Sequence, residues 1–209
     1  MSAWIDALLR VAATAEPTHL SRFVPTPDIE GRESAILLLF SERAHGLELL
    51  LIERAAAMRS HAGQPAFPGG AIDPEDADAV AAALREAREE IGLDPAEVEV
   101  LATLPKLYLP TSGFLVTPVV AHWHTPGHVH VANPDEVAAV VHVPVADLVN
   151  PENRVRVRHP SGFVGPAFLV GGLTVWGFTG GLIARLLELL DWAEPWDDRR
   201  VIDLPEAQL

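Results

Sequence analysis

Arg85-Glu86-Ala87-Arg88-Glu89-Glu90-Ile91-Gly92-Leu93, preceded at a distance by Phe67-Pro68-Gly69-Gly70, is the stretch on which the reading of this chain turns. Glu86, Glu89 and Glu90 stand three and four residues apart, so a helix projects them from neighbouring positions of one face. Like charges at that spacing cost a helix roughly 0.2–0.5 kcal/mol per pair. Their place near the C-terminal end, where the macrodipole prefers cations, adds to the cost, and Arg85 and Arg88 offset part of it by pairing with nearby glutamates. Asp73 is the expected cap, Pro74 suits the first turn, and Glu75 and Asp76 favour the positive end. An alanine-rich run over 77–91 follows, and Gly92 is the expected stop. The remaining faces carry Ala79, Ala82, Ala83 and Ala87, small enough for close approach to a sheet. A solvated charged face would account for glutamate–arginine alternation alone. A carboxylate cluster beside a Gly-Gly pair that lets backbone approach a ligand also suits Mg²⁺, which takes oxygen ligands and bridges to phosphates.

Outward from this helix the pattern is mainly of strands. Ala35–Phe40 and Leu47–Ile52 flank a His45-Gly46 turn and predict a hairpin, followed by a loop from Arg54 to Gly70. Strand-like runs recur at Val98–Leu104, Phe114–Trp123, Val137–Val143, Arg154–Arg158, Phe168–Val170 and Leu173–Phe178. Ala3–Ala15 has the spacing of an amphipathic helix, 16–34 reads as a loop, and a second long helix is expected over Gly180–Trp192. This predicts an α/β (α+β) chain with a mixed sheet packed between helices. Phe163 to Ala184 carries no charge and is long enough to span a bilayer. Its six glycines and Pro166 instead favour two short strands about Gly171-Gly172 and then a helix.

The net charge of −14 argues against nucleic acid or an anionic membrane as the main partner. It equally requires local compensation if the ligand is an anion, for which a divalent cation is the economical answer. With no cysteine, disulfides, thiolate metal sites and a cysteine nucleophile are excluded. The missing cysteines and the opening Met1-Ser2-Ala3-Trp4-Ile5-Asp6, which has no basic start, fit a cytoplasmic protein.

The segment Gly69-Gly70 followed by Arg85 to Leu93 resembles the Nudix box, and every fixed position of its R-E-x-x-E-E-x-G core is matched. The general box places a further glutamate eight positions ahead of the arginine. Ala77 stands there in this chain, Asp76 and Glu75 lie beside it, and no role is assigned to either. Upstream, Leu50-Leu51-Ile52-Glu53-Arg54 and Met58-Arg59-Ser60-His61-Ala62-Gly63-Gln64-Pro65-Ala66-Phe67-Pro68-Gly69-Gly70 resemble the signature of the coenzyme A diphosphatase branch, with Gln64-Pro65 as the departure. Weaker likeness continues through Leu109-Pro110-Thr111-Ser112-Gly113, Asn133-Pro134-Asp135-Glu136-Val137 and Trp176-Gly177-Phe178-Thr179, so it covers about 33–190. It implies a lead-in of 1–32, a Nudix hydrolase domain of 33–195 and a tail of 196–209.

The resemblance implies a Nudix fold and a pyrophosphohydrolase that cleaves coenzyme A, or a derivative, to 4′-phosphopantetheine and adenosine 3′,5′-bisphosphate. Its cofactor would be Mg²⁺ or Mn²⁺, held by Glu86 and Glu90, with Glu89 a further ligand or the base that positions water. Arg85 would orient these ligands. Arg54, Arg59 and His61 are candidates for substrate contact, and Gly69 and Gly70 would bring backbone to the metal or diphosphate. Glu136 stands where many Nudix enzymes carry another carboxylate, yet on its own it reads as a strand-start residue. ADP-ribose, a dinucleotide or a nucleoside triphosphate are alternative substrates, a Nudix-fold binding module without turnover is another class, and a homodimer is compatible with the sequence. His122, His124, His128 and His130 form two H-x-H pairs that could take zinc but read better as exposed hairpin histidines. Arg154, Arg156 and Arg158 alternate as a basic stripe, read as a solvated face paired with Asp or Glu.

Overall fold

A computed structural model of the chain describes residues 2–26, 28–56 and 62–204. In chain order the helices are α1 (Ala3–Thr14), α2 (Pro17–Leu20), α3 (Ala79–Ile91), α4 (Val145–Val149) and α5 (Gly177–Leu189). The strands are β1 (Arg32–Arg43), β2 (Gly46–Arg54), β3 (Pro65–Ala66), β4 (Gly69–Ala71), β5 (Val98–Thr103), β6 (Leu107–Leu109), β7 (Phe114–Trp123), β8 (Val137–Pro144), β9 (Arg154–Arg158), β10 (Val164–Val170), β11 (Leu173–Val175) and β12 (Val201–Asp203). The expected mixed sheet between helices is present.

β1 is the axis of the larger sheet. Its apolar run is continuous because both faces are covered, as in a central strand. Leu38 and Phe40 enter a core shared with α1, α2 and α5, while Leu37 and Leu39 enter one shared with α3. Strand alternation assigns the two sets. β7 lies parallel to β1 from Arg32↔Phe114 to Phe40↔His122, and β5 continues the sheet antiparallel to β7. On its other side β1 pairs with β2 only near the turn, Phe40↔Leu49 to Arg43↔Gly46. Beyond that the hairpin opens. The far half of β1 takes β4 (Ser34↔Ala71, Ala35↔Gly70, Ile36↔Gly69), and the far half of β2 takes β3 (Ile52↔Ala66). The segment expected as plain loop is thus inserted between the legs of the hairpin, and β8 pairs with the outer edge of β2.

α3 packs on this opened region through Ala82, Ala83 and Ala87, all with no exposed surface. Side chains this small bring the helix axis close to the sheet. A second sheet, β11-β10-β9-β12, stands apart from the first. The β10–β11 turn is made by Gly171 and Gly172, both at positive φ, as a two-residue hairpin turn requires. Phe163 to Ala184 is therefore β10, β11 and the start of α5, and among the described residues no helix is long and apolar enough to cross a membrane.

Three local expectations need correction. The loop assigned to 16–34 contains the short helix α2 and the first residues of β1. α5 begins at Gly177, three residues earlier than the glycine run suggested. α3 begins at Ala79 rather than beside Asp73: Asp78 is its N-cap and accepts from the Ala81 N–H at 2.9 Å.

Candidate active site

Gly69 and Gly70 position the backbone first. Gly69 has φ +149°, and a β-carbon there would lie 2.3 Å from the Ala35 carbonyl oxygen, so only glycine fits between β4 and β1. At Gly70 the added carbon would lie 2.5 Å from a carboxylate oxygen of Glu86. The missing side chain is the space that the Glu86 carboxylate occupies. The Gly69 N–H donates to Glu90 Oε2 at 3.0 Å, which ties the glycine strand directly to the helix.

The three glutamates of α3 diverge in environment. Glu90 is buried, 2 % exposed, and its carboxyl is pushed up to about 8. Burial is the main cause, the charges of Glu86 and Glu136 add to it, and the Gly69 N–H and the Arg54 cation oppose it. Glu86 is also raised by burial, against the pull of Arg85. Glu89 faces outward, with 57 % of its side chain exposed. Glu86 and Glu90 thus converge on the Gly69-Gly70 backbone, and Glu89 stands at the rim.

Arg85 links these groups. Its Nη1 donates to Glu86 Oε1 at 3.0 Å and to Glu89 Oε2 at 3.1 Å, and its Nη2 to the Ala71 carbonyl at 3.0 Å. Its other edge is held by Asp76, which accepts from Nε at 3.0 Å and from Nη2 at 2.9 Å. This two-point contact holds the Asp76 carboxyl below its ordinary range. Asp76, expected in the first helical turn, instead lies before the helix and holds this arginine. The available signal was its place six residues after Gly70, but one extra residue before Arg85 left the alignment ambiguous. Arg88, expected to pair with a glutamate, is exposed and makes no ion pair among the described residues.

Arg54 ends β2 beside this cluster, and its Nε is buried without a hydrogen-bond partner among the described residues. Arg59 and His61 lie outside the described residues. Glu136 directly precedes β8, as expected; its charge adds to the upward shift of Glu86 and Glu90, and its carbonyl accepts from the Ala55 N–H at 2.8 Å.

Among the described residues no three His, Asp or Glu side chains are gathered as a ready-made metal cage. The histidines form two pairs, His122–His124 with ring centroids 6.3 Å apart and His128–His130 stacked at 5.9 Å, with no third ligand collected around either. The arginine stripe divides. Arg158 pairs with Asp203 at 3.4 Å as expected, whereas Arg154 is buried between the faces of Phe168 and Trp196. Residue 154 lies beneath the C-terminal segment, which an alternation argument cannot detect.

The NUDIX domain family model matches residues 31–161 of this chain. The chain is 41 % identical over 180 residues to a Citrobacter koseri protein named uncharacterized Nudix hydrolase NudL, covering 80 % of this chain and 90 % of that one. It is 40 % identical over 162 residues to the protein of that name from Escherichia coli K12, covering 74 % and 81 %. Among solved structures, the Mycobacterium smegmatis Nudix hydrolase RenU superimposes with a TM-score of 0.55 at 21 % identity, covering 79 % of this chain and 89 % of that one. The MutT protein of Methanosarcina mazei gives 0.52 at 16 %, covering 78 % and 97 %.

Proposed function

This chain belongs to the NUDIX domain family of hydrolases, and we propose that it cleaves the diphosphate of coenzyme A, or of a coenzyme A derivative, to 4′-phosphopantetheine and adenosine 3′,5′-bisphosphate with Mg²⁺ or Mn²⁺. The observation that carries the reading is the convergence of Glu86 and Glu90 on the Gly69-Gly70 backbone, with the Arg54 cation beside them. The choice of coenzyme A is supported by the likeness from Leu50 through Gly70 and stands as our inference.

The donor set suits a hard divalent cation. It is entirely oxygen, the Glu86 carboxylate reaches the Gly70 backbone because no β-carbon stands there, and Mg²⁺ needs only one or two protein carboxylates because it keeps waters and phosphate oxygens. Glu86 and Glu90 would hold the cation, with Glu89 at the rim. When bound it would neutralise charge on the diphosphate and lower the barrier to attack by water. Glu90, protonated more readily than an ordinary carboxyl, would hold the cation in its ionised form, its proton released to solvent. Arg85, bonded to Glu86 and Glu89, would keep these carboxylates in place. Arg54, whose cation acts on Glu90, is the candidate for contact with a phosphate oxygen. Glu89 is the candidate for a further ligand or for the base that positions water, and its solvent-facing side chain supports the second role.

Incubating the protein with coenzyme A, ADP-ribose and nucleoside triphosphates, with and without Mg²⁺, tests the reading. Adenosine 3′,5′-bisphosphate released from coenzyme A alone, and only with the cation, is the expected result. Turnover of ADP-ribose or a triphosphate in preference would overturn the substrate assignment while leaving the metal site standing.

A further inference from the structure

The chain between β7 and β8 crosses the C-terminal end of α3, and its alternate side chains go to opposite sides. Val129 and Val131 pack into the core shared with α3, so His128 and His130 point the other way and are exposed. Both ends of this run are fastened. At its start the Glu97 carboxylate, which accepts from Trp123 Nε1 at 3.0 Å, closes over Gly127, where an added β-carbon would lie 2.7 Å from it. At its end the His130 N–H donates to Ile91 O at 3.1 Å and the Ala132 N–H to Glu90 O at 3.0 Å. The His130 ring rests on Gly92, the left-handed residue that ends α3, where a β-carbon would lie 2.6 Å from it.

The two imidazole rings lie nearly parallel, 11° apart in plane and 5.9 Å between centroids, and neither has a hydrogen-bond partner among the described residues. Paired imidazoles on a fixed backbone suit Zn²⁺, which takes four donors in a closed site. This chain supplies two, because among the described residues no third His, Asp or Glu joins the pair. A twofold axis through the ion supplies the same two again from a second copy, as an isologous contact does. Charge favours that arrangement. Two chains of net charge −14 repel, and imidazoles bind a metal in their neutral form, so the ion's positive charge stands uncancelled between the copies. The other histidine pair is less suited: His122 is half-buried with its ring 5.0 Å from Trp4, and its plane is turned 65° from that of His124. We propose that His128 and His130 form a Zn²⁺ site completed by the same two residues of a second copy, giving a metal-bridged dimer. The site is separate from the carboxylates of α3, whose oxygen ligands suit Mg²⁺.

Sedimentation velocity on the full chain tests it, in excess Mg²⁺ throughout, with Zn²⁺ either added or removed by a chelator. Zn²⁺ is expected to double the mass, with about one ion bound per two chains beyond what His128→Ala retains. Mg²⁺ alone is expected to leave the mass unchanged, since it prefers oxygen to imidazole. His128→Ala and His130→Ala should each abolish the Zn²⁺-dependent dimer, whereas His122→Ala and His124→Ala should keep it. His128→Ala leaves the contact of His130 with Gly92 in place, so it carries the test should His130→Ala fail to fold. A mass that Zn²⁺ does not change, a dimer that survives the chelator, or a dimer that persists in His128→Ala would each overturn the proposal. So would zinc held by this pair in a monomer. Turnover of coenzyme A plays no part in the readout, so the outcome is independent of the substrate assignment.

Discussion

A methyl group added at Gly69 and one added at Gly70 meet different neighbours, although the positions are adjacent. At Gly69 it meets the backbone of Ala35 and Ile36, at 2.3 and 2.7 Å, in a conformation L-residues rarely adopt. Neither the strand nor φ can yield, so Gly69→Ala is expected to lower the melting temperature by several degrees, the conformation alone costing about 1–3 kcal/mol. At Gly70 it meets the end of the Glu86 side chain, which can swing aside. Gly70→Ala is expected to melt near the wild type while losing tenfold or more of its turnover and Mg²⁺ affinity. If both variants melt alike and turn over alike, the division of roles between the glycines is wrong. Glu90→Gln isolates the charge, since an amide oxygen still accepts from the Gly69 N–H. It should abolish turnover with unchanged circular dichroism, and turnover at the wild-type rate would remove Glu90 from the chemistry.

At the scale of elements, the face of α3 was legible because glutamates three and four apart have only one arrangement on a helix. Its start was not. Asp73-Pro74-Glu75-Asp76 has the composition of a first helical turn, but Asp76 is drawn off by Arg85, and Asp78 caps instead. The inserted strands β3 and β4 were illegible for another reason: at two and three residues of Gly, Pro and Ala they carry no alternation to detect. Nor could the pattern find Glu48, a buried carboxylate of β2 within 3.0 Å of Arg43 in β1 and 3.3 Å of His142 in β8, with His45 also bonded to it. Burial lowers the proton affinity of His142, assisted by the Arg43 and His45 charges and opposed by Glu48. Below the unfolded value of about 6.5 the unfolded chain therefore binds more protons than the fold, and stability decreases as pH falls through that range. His142→Gln removes this contribution. On metal-free protein the raised Glu90 carboxyl acts in the opposite sense in both proteins, so the melting temperature of the variant relative to the wild type should rise as pH falls from about 7.5 to 5.5. A difference that does not change with pH would mean that His142 titrates as freely folded as unfolded.

For the whole molecule the governing quantity is the net charge of −14, which acts oppositely on the two ligands of the proposed reaction. A divalent cation is drawn in by that field and an anionic coenzyme is repelled by it. Compensation near the site comes from Arg54 and from Arg85, and Arg85 is already committed to Asp76, Glu86 and Glu89. The screening length shrinks from about 30 Å at 0.01 M salt to about 10 Å at 0.1 M. Added salt should therefore silence the distant carboxylates while leaving contacts inside the site largely intact. Raising KCl across that range is expected to increase the Mg²⁺ concentration needed for half-maximal activity and, at saturating Mg²⁺, to lower the KM for coenzyme A. The opposing directions distinguish this from a general salt inhibition, which would move both constants upward. A KM that rises with salt would mean that basic groups near the mouth of the site, rather than the acidic surface, dominate the field the substrate meets.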